Sequence, residues 1–378
     1  MTRDTRRSKV RVVHVSSAHP AGDPRIFEKQ CTSLAEAGYD VRLIATEEAP
    51  PHAAFPVVAY DRSDRRLVRM SIGVARAVLR AVRMRPTVVH LHDPELIPAV
   101  PALRLLGIKV VFDSHEHIAA SMTNKTYLPS FLRKAARRAS TWLVSLVDHT
   151  ASAIVTATPA IAADFHNERT AVIQNFPILD QWASVDDAKR SSPQLVFIGG
   201  ISEGRGVFQM LEAIERLGDS HDARLTLAGT VPPELLSQME AHPGWRYAEF
   251  VGSLERPELA ELLAQSTIGV VLFLPEPNHV KSQPTKMFEY MAAGLPVLAS
   301  DYPLWRELVL PAGAGLLADP LDVDAIVRQA SFLLDNPVES AQMGRHGREL
   351  VETTRNWRVE AEHLVSFYDD LSGATSAL

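Results

Sequence analysis

The sequence predicts an α/β protein of two domains, each built on a parallel β-sheet, with ligand sites that face one another across a cleft. Three observations lead to this prediction. The chain has 378 residues, about twice the length of a single hydrophobic core. Short β-rich runs alternate with helical patterns, which is typical of parallel sheets with helical crossovers. The alternation pauses at residues 172–193 and then restarts.

The first series begins with a predicted buried strand over residues 10–15 and a helix over 26–37, which Gly38 ends. Further strands are predicted at residues 41–45, 87–91, 109–113 and 153–156. Ligands of open α/β sheets bind at the carboxyl ends of the strands. Polar residues that directly follow these strands are therefore the first candidates for function.

The second series contains predicted strands at residues 194–199, 224–228, 268–273 and 296–299. The C-terminal end, including the segment from Trp357, is predicted to be helical. We place the domain boundary within residues 178–192. The predicted organisation is a first domain over 1–178, a second over 193–355 and a terminal helix over 356–378.

Cysteine content and hydropathy bear on the compartment. The single cysteine, Cys31, excludes an internal disulfide and a four-cysteine metal site, and it suits a reducing compartment. No apolar stretch approaches the ~20 residues that span a bilayer. We therefore expect a cytoplasmic protein. Peripheral association with the inner face of the plasma membrane is compatible with this location.

The net charge of −6 is unevenly distributed, with +7 over residues 1–180 and −13 over 181–378. The basic half should attract anionic partners. It contains two clusters: Arg65, Arg66, Arg69, Arg76, Arg80, Arg83 and Arg85, and then Arg133, Lys134, Arg137 and Arg138. These clusters are either solvated helix faces or a surface that meets anionic lipid headgroups.

The segment 283–301 contains the most informative pattern. Pro284 suits a first helical turn, and Gly294 suits the end of that helix before a buried strand. A helix N-terminus favours a diphosphate. Lys286 and Glu289 are three residues apart and share a helical face, so a cation for phosphate and a carboxylate for ribose hydroxyls project together. An ordinary salt bridge between the two side chains is the alternative.

Several dispersed segments together resemble the family 4 retaining glycosyltransferases of the GT-B fold, which has two Rossmann-like domains facing a cleft. Residues 283–301 are similar to the family signature Glu-x-Met-Ala-x-Gly-x-Pro-Val. Residues 197–206 resemble its donor-phosphate loop, 250–254 the loop beside the nucleobase, and 172–175 the entry to the hinge. The Trp357 helix resembles the one that returns to the first domain. The resemblance covers nearly the whole chain.

The resemblance implies roles for individual residues. Glu289 would hold the ribose hydroxyls, and Arg205 would contact the diphosphate with Lys286 as a second cation. His115 takes the position of the active-site histidine near the donor sugar. Independently of the resemblance, Asp93 lies at the carboxyl end of a predicted strand and is a second catalytic candidate that would face the substrate. The complete set of donor-binding candidates is Gly200, Arg205, Gly252, Leu254, Lys286 and Glu289. Acceptor-binding candidates are Asp23 and Arg25, in a loop where the family usually has two glycines.

The sequence departs from the family pattern in two places. The first glutamate of the Glu-x7-Glu motif would stand at position 281, which is Lys281. The group that grips the donor sugar is then absent, or Glu276 replaces it from a shifted loop. The arginine that usually follows the glycine of the phosphate loop is also absent, because Gly200 stands there.

Histidines near predicted strand ends raise the question of a metal site. His90, His92, Asp93 and Glu95 could supply ligands, but alternate residues of a strand point to opposite faces, so Asp93 would point away from the two histidines. We therefore expect no metal. His14 and His19 are interpreted as structural or loop residues.

The resemblance implies retaining transfer from a UDP- or GDP-linked sugar to a hydroxyl acceptor, by front-side attack that the leaving phosphate assists. Neither a metal nor another cofactor is expected. The acceptor would be a glycan, a glycolipid or a small molecule, in cell-surface polysaccharide or natural-product biosynthesis, and no nucleic-acid partner is expected. Two alternatives stay open: a nucleotide-sugar epimerase of the same fold, and an inactive nucleotide-sugar-binding protein, which Lys281 would favour.

Overall fold

The structure, a computed structural model, describes residues 7–48, 50–51, 53–60, 72–115, 117–118, 130–182 and 192–373, with the backbone alone over 130–137. The chain forms two compact units. Unit 1 consists of Met1–Asn175 and Arg358–Leu378, and unit 2 consists of Phe176–Trp357. Residues of the C-terminal helix are thus grouped with unit 1.

Unit 1 is built on a seven-stranded parallel sheet. Its strands are β1 (Arg11–Val15), β2 (Asp40–Ala45), β3 (Val57–Ala59), β4 (Val88–Leu91), β5 (Lys109–Ser114), β6 (Ala153–Thr156) and β7 (Thr170–Val172). They lie in the order β3-β2-β1-β4-β5-β6-β7, and each neighbouring pair is parallel. The prediction of a parallel sheet is confirmed.

Helices cover the sheet of unit 1. Helix α1 winds as wide π turns over Pro24–Cys31 and continues as an α-helix over Thr32–Glu36, after which Gly38 takes a φ of 101°. The other helices are α2 (Val74–Arg83), α3 (Val100–Leu105), α4 (Ser130–Thr150) and α5 (Pro159–Ala162). Short 3-10 turns occur at Arg7–Lys9 and Pro94–Ala99.

Unit 2 repeats this architecture with six strands. They are β8 (Gln194–Ile198), β9 (Arg224–Ala228), β10 (Ala248–Gly252), β11 (Ile268–Val271), β12 (Val297–Ser300) and β13 (Gly315–Ala318). Their order is β10-β9-β8-β11-β12-β13, again with parallel pairs throughout. The chain thus starts in the middle of the sheet and builds outward on either side of β8.

The helices of unit 2 follow its strands in turn. They are α6 (Val207–His221), α7 (Pro233–Glu240), α8 (Arg256–Gln265), α9 (Pro277–Val280), α10 (Thr285–Ala292), α11 (Pro303–Val309), α12 (Val323–Asp335) and α13 (Pro337–Thr353). Further 3-10 turns lie at Leu179–Gln181, Glu203–Arg205 and Pro243–Tyr247. The last helix, α14, runs over Trp357–Ser372. None of the helices in the described parts of the chain is long and apolar enough to cross a membrane.

Burial of the central strands explains why they were predictable. Strands β4, β6, β11 and β12 are buried at every position, as expected for parallel sheets covered on both faces. Every strand predicted above is present. The strands that were not predicted, β3, β7, β10 and β13, are the four edge strands of the two sheets.

Candidate functional site

Loops at the carboxyl ends of the central strands of unit 2 surround an open pocket. It has a volume of about 450 Å³ and lies among the loops after β8, β9 and β11. Because β9 and β11 pair with opposite sides of β8, this is the point where strand order reverses, where open α/β sheets bind ligands. The pocket is lined by Ser202, Glu203, Gly204, Pro232, Glu234, Leu235, Gln238, Glu276 and His279.

The loop after β8 brings Gly200 and Arg205 together. The Nη1 of Arg205 donates a hydrogen bond of 2.6 Å to the carbonyl oxygen of Gly200. A Cβ at position 200 would lie 2.6 Å from that nitrogen, so the guanidinium would have to shift if another residue stood there. Arg205 thus lies beside the position at which the family carries its loop arginine, and its contact with a diphosphate stays a prediction.

Lys286 points into this loop from α10. Its side chain is only 9% exposed, and its Nζ lies 3.6 Å from the centroid of the Phe197 ring. The Nζ has no hydrogen-bond partner among the described residues. Burial, with the nearby charge of Arg205, holds the pKa of Lys286 well below its usual range, and Glu289 only partly opposes this. Lys286 and Arg205 both lie against the Phe273 ring, at 5.3 and 5.6 Å from its centroid.

Glu289 is paired with an arginine that the sequence analysis did not identify. Arg256, at the start of α8, donates to Glu289 Oε1 at 3.2 Å. The Arg256 guanidinium also lies 5.4 Å from the centroid of the Trp182 ring. The alternative interpretation, a salt bridge between Lys286 and Glu289, is not what the structure has. No sequence pattern links Arg256 to Glu289, because they are brought together by tertiary packing.

Gly252 and Leu254 follow the neighbouring edge strand. Gly252 ends β10 with a φ of 75°, and its carbonyl accepts a 2.6 Å hydrogen bond from the N–H of Gly229, in the loop after β9. Leu254 is partly buried against the core of unit 2. Both residues lie at the carboxyl end of the strands, as Arg205 does. Their contact with a donor stays a prediction.

The position of the missing glutamate is occupied by an exposed lysine. Lys281 follows the last residue of α9 and is exposed. Glu276 precedes α9 and lies so close to the loop after β8 that a Cβ at Gly204 would overlap its Oε1. Glu276 is therefore in the pocket, as a shifted replacement for the absent glutamate would need to be, and Lys281 does not line it.

In unit 1, Asp93 lies beyond the end of β4 at the centre of a hydrogen-bonded turn. Its Oδ2 accepts from the Ser17 N–H at 2.6 Å, the Ser16 hydroxyl at 2.9 Å and the Ala18 N–H at 3.2 Å, and its Oδ1 meets His19 Nδ1 at 2.9 Å. Burial alone would raise the pKa of Asp93. These hydrogen bonds, of which the one from His19 has the largest effect, lower it to about 2. Asp93 is thus held as a carboxylate.

His115 directly follows β5 and lies against His19. The two ring centroids are 5.1 Å apart, with one ring edge facing the other ring. The Nδ1 of His115 is buried and has no hydrogen-bond partner among the described residues. Burial lowers the pKa of His115, so its imidazole is neutral at physiological pH. The structure therefore brings the two predicted catalytic residues, His115 and Asp93, into one cluster through His19.

The two acceptor-binding candidates both have partners within unit 1. Asp23 caps α1 by accepting from the N–H groups of Arg25 and Ile26, each at 2.9 Å. The buried guanidinium of Arg25 is bidentate to Asp113, at 3.0 Å from Nε and 2.7 Å from Nη2, and it donates to the carbonyl of Ile173 at 3.0 Å. Contact of Asp23 or Arg25 with an acceptor stays a prediction.

A buried chain of histidines ends at the same carboxylate. The Nδ1 of His14 lies 2.9 Å from His92 Nε2, and His92 Nδ1 lies 3.1 Å from Asp113 Oδ2. The ring of His90 stacks on that of His92 with centroids 4.5 Å apart, and its Nδ1 meets the Tyr368 hydroxyl at 2.8 Å. Ring nitrogens of the three histidines lie within 4.8 Å of one another.

Sequence reasoning missed this group because its members come from separate elements. His14 and His90 are paired in register on β1 and β4, and Tyr368 comes from α14. The rings of His90 and His92 stack on each other, whereas Asp93 is bonded to His19. The usable signal was a histidine in the interior of each of two predicted strands.

Two family models match the chain: "Glycosyltransferase Family 4" over residues 24–176 and "Glycosyl transferases group 1" over residues 192–336. Together they span well over half of the sequence. The chain is 25% identical to glycogen synthase of Mycobacterium tuberculosis over 367 residues, which cover 93% of this chain and 83% of the relative. It is 29% identical to the MMP alpha-(1->4)-mannosyltransferase of Mycolicibacterium hassiacum over 44% of this chain and 40% of that protein.

Solved structures share the fold at lower sequence identity. Sucrose-phosphate synthase from Thermosynechococcus elongatus matches with a TM-score of 0.77 at 18% identity, over 97% of this chain and 100% of that one. HepE of Anabaena, solved in complex with UDP and glucose, matches with a TM-score of 0.75 at 13% identity, over 96% of this chain and 100% of that one. The two parallel sheets and these neighbours define the GT-B fold, and with the two family models they show that the chain belongs to the family 4 glycosyltransferases.

Proposed function

We propose that the protein transfers a sugar from a UDP- or GDP-linked donor to a hydroxyl acceptor, with retention of anomeric configuration and without a metal. Glycan or glycolipid synthesis is the favoured setting, with natural-product glycosylation as the other. Similarity to a glycogen synthase and to HepE, whose structure holds UDP and glucose, supports a nucleotide-sugar donor. Unit 2 would bind the donor nucleotide, and unit 1 would supply His115 and the acceptor site.

The observation that carries this proposal is the buried amino group of Lys286. Burial without a partner disfavours the charged form of a lysine by several kcal/mol, so such a lysine is retained where a ligand supplies the counter-charge. The glycine loop after β8 and the guanidinium of Arg205 lie beside it, and α6 begins directly after that loop. Two cations and a helix N-terminus suit a diphosphate, whose departing charge they would stabilise in place of a metal ion.

Nucleotide binding should depend on Arg205 and Glu289 and should survive EDTA. Arg205→Ala removes a charge-assisted contact to phosphate, and Glu289→Ala removes an acceptor for ribose hydroxyls. Each should weaken UDP or GDP binding by about 1.5–3 kcal/mol, which is roughly 10- to 150-fold. Isothermal calorimetry with both nucleotides measures the change.

Arg328→Ala is the matched control, because Arg328 is an exposed arginine on α12 that pairs only with Asp322 among the described residues, at 3.6 Å. Its affinity for both nucleotides should equal that of the wild type. Wild-type affinity in Arg205→Ala and Glu289→Ala together would contradict the assignment of the donor site. Loss of binding in EDTA would contradict the metal-free mechanism.

Reaction products separate transfer from the alternatives. Donor analogues labelled at the anomeric carbon should yield a glycoside of unchanged configuration, read by NMR. Isomerised nucleotide sugar formed without acceptor would indicate an epimerase. Complete absence of turnover, including slow hydrolysis by water, would indicate an inactive binding protein, the outcome that Lys281 in place of glutamate favours.

We further propose that unit 1 meets anionic membranes peripherally. Helices α2, α3 and α4 all pack against the turn Pro94–Ala99. These helices, with the residue after α3, expose both apolar side chains and arginines: Leu79, Leu105 (89% exposed), Leu106 and Trp142, with Arg76, Arg83 and Arg138. Of the predicted basic clusters, Arg65, Arg66 and Arg69 lie outside the described residues, as do the side chains of Arg133, Lys134 and Arg137.

Reversing two of these charges should weaken membrane binding. Each basic residue close to an anionic surface is worth about 1 kcal/mol, so Arg76→Glu with Arg83→Glu should reduce binding to phosphatidylglycerol vesicles by at least about tenfold. Sedimentation over a salt series measures it, and wild-type binding should fade as ionic strength rises. Arg328→Glu in unit 2 is the control. Equal binding of the wild type to neutral vesicles, or none to anionic vesicles at low salt, would contradict the proposal.

A further inference from the structure

His19 is a loop histidine whose backbone is fixed at the carboxyl edge of the unit 1 sheet. It lies in the loop after β1, where its N–H donates to the Ser16 hydroxyl at 2.9 Å. Its carbonyl accepts from the Thr46 hydroxyl at 3.1 Å. These bonds hold the ring beside the ends of β4 and β5, the strands that Asp93 and His115 follow.

One nitrogen of the His19 ring is hydrogen-bonded, and the other has no hydrogen-bond partner among the described residues. The Nδ1 lies 2.9 Å from Asp93 Oδ1, and Asp93 is buried and fixed by the three bonds to its other oxygen described above. The side chain of His19 is 30% exposed, and no described residue bonds to its Nε2. A buried carboxylate on one nitrogen and a free lone pair on the other is the arrangement by which proteins orient a histidine as a base.

The charges around His19 make it more basic than its neighbour. Facing groups are the carboxylates of Asp93, Asp23 and Asp113, the ring of His115 and the Ser16 hydroxyl. The hydrogen bond to Asp93 raises the pKa of His19, although burial partly opposes it. Burial lowers the pKa of His115, and the charge of Arg25 adds to this. Environments that separate the pKa values of adjacent groups commonly mark an acid–base site.

We propose that His19, oriented by Asp93, is the base of the acceptor site and takes the proton of the attacking hydroxyl on its Nε2. This inference rests on the proposed function and adds a route for the proton that the leaving phosphate would otherwise accept. The acceptor O–H bond breaks toward Nε2 while the oxygen bonds to the anomeric carbon. The carbon–oxygen bond to the diphosphate breaks with its electron pair, and the imidazolium later returns the proton to water.

Hydrolysis of donor by water tests the base without knowledge of the acceptor. UDP-glucose and GDP-mannose are the probes, and nucleotide release is followed from pH 5 to 9. His19→Gln should slow release by about 100-fold and abolish the acidic limb of the profile, because general bases contribute about 100- to 10,000-fold. Asp93→Asn should shift that limb to lower pH, since it leaves the histidine but removes the charge that raises its pKa. Affinity for UDP should stay within twofold in both variants.

A second histidine–aspartate pair in unit 1 provides the matched control. His166, 90% exposed, lies 3.6 Å from Asp148, and His166→Gln should change neither rate nor profile. A wild-type rate and acidic limb in His19→Gln would overturn the proposal. Failure of the wild type to bind either nucleotide would instead contradict the proposed function, because the nucleotide site lies in unit 2.

A measurement independent of turnover keeps the inference testable if hydrolysis is too slow. NMR titration of the histidine rings, with the His19 signal assigned by its loss in His19→Gln, should give a His19 pKa above 6.5. Asp93→Asn should lower that pKa. A His19 that titrates at or below 6.5, or that is indifferent to Asp93→Asn, would show that no dyad exists and would overturn the proposal.

Discussion

Replacing His115 by alanine is expected to lower kcat by about 100-fold or more while leaving UDP or GDP affinity nearly unchanged. The neutral ring of His115, with a buried Nδ1 that no described residue satisfies, is suited to hydrogen bond with a sugar hydroxyl. Removing one preorganised donor that acts on the transition state costs about 100- to 1,000-fold in other enzymes. Nucleotide affinity should persist because Arg205, Lys286 and Glu289 all lie in unit 2.

His166→Ala is the matched control in the same unit. His166 is 90% exposed and lies 3.6 Å from Asp148, so it lacks the buried ring nitrogen on which the prediction for His115 rests. Steady-state kinetics with saturating donor, together with calorimetric titration of free nucleotide, measures both quantities for each variant. A normal kcat in His115→Ala would indicate that His115 has only a packing role. A loss of nucleotide affinity together with kcat would indicate a folding defect.

The strands that sequence patterns predicted are the central ones, and the physical reason is burial on both faces. A strand such as β4 or β11 is apolar at nearly every position because helices cover it on either side. The edge strand β7 has no fully buried position, and β10 alternates between half-buried and exposed residues. Strands β7 and β10 therefore lack the buried apolar run that distinguishes β4 and β11 from loops.

The candidate site was predictable only where its residues stand in contiguous motifs. Lys286 and Glu289 share a signature helix, and Arg205 lies in a glycine-rich loop. Asp113 was predicted only as the end of a strand, yet it accepts hydrogen bonds from Arg25, Gln30 and His92 together. Although burial opposes it, the charge of Arg25 lowers the pKa of Asp113 well below its usual range.

Arg25 has a buried partner that local sequence patterns do not predict. The resemblance implies contact of Arg25 with an acceptor, and that contact stays a prediction. In the structure its side chain forms a buried bidentate pair with Asp113, a partner 88 positions away in the sequence. Local patterns cannot specify such a pair, because only the tertiary fold brings the start of α1 to the end of β5.

The largest effect on nucleotide binding is expected from Lys286→Met, which should weaken UDP or GDP binding by about 100-fold or more without destabilising the ligand-free protein. Methionine preserves the length and apolar contacts of the side chain against Phe197, so packing is retained. A charge-assisted contact to a diphosphate is lost. The ligand-free protein should be equally or more stable near neutral pH, because the variant no longer bears the cost of keeping an ordinarily protonated amine buried without a partner.

The same variant should abolish a proton uptake that accompanies nucleotide binding. Burial holds the pKa of Lys286 well below its usual value near 10.5, and an adjacent diphosphate raises it again, so binding above the lowered pKa captures a proton. Affinity of the wild type should therefore fall as pH rises through that pKa. In the unfolded chain the lysine keeps its ordinary pKa. Lys286 therefore makes its full contribution to the free energy of unfolding only above about pH 10.5, where the amine is neutral in both states. That contribution is lost as the pH falls toward the folded pKa, so the gain in stability from Lys286→Met is expected at neutral pH.

Calorimetry over a pH series from about 7.5 to 10, in pairs of buffers of different ionisation enthalpy, measures the uptake. The nucleotide phosphates, with a second pKa of about 6, are already ionised over this range. The wild type should give a buffer-dependent enthalpy, and Lys286→Met should give the same enthalpy in both buffers. Arg205→Ala serves as the comparison, because it removes a cation that stays protonated throughout and so should weaken binding yet keep the uptake. Wild-type affinity in Lys286→Met, or an uptake that persists without the lysine, would show that this buried ammonium is not the diphosphate ligand.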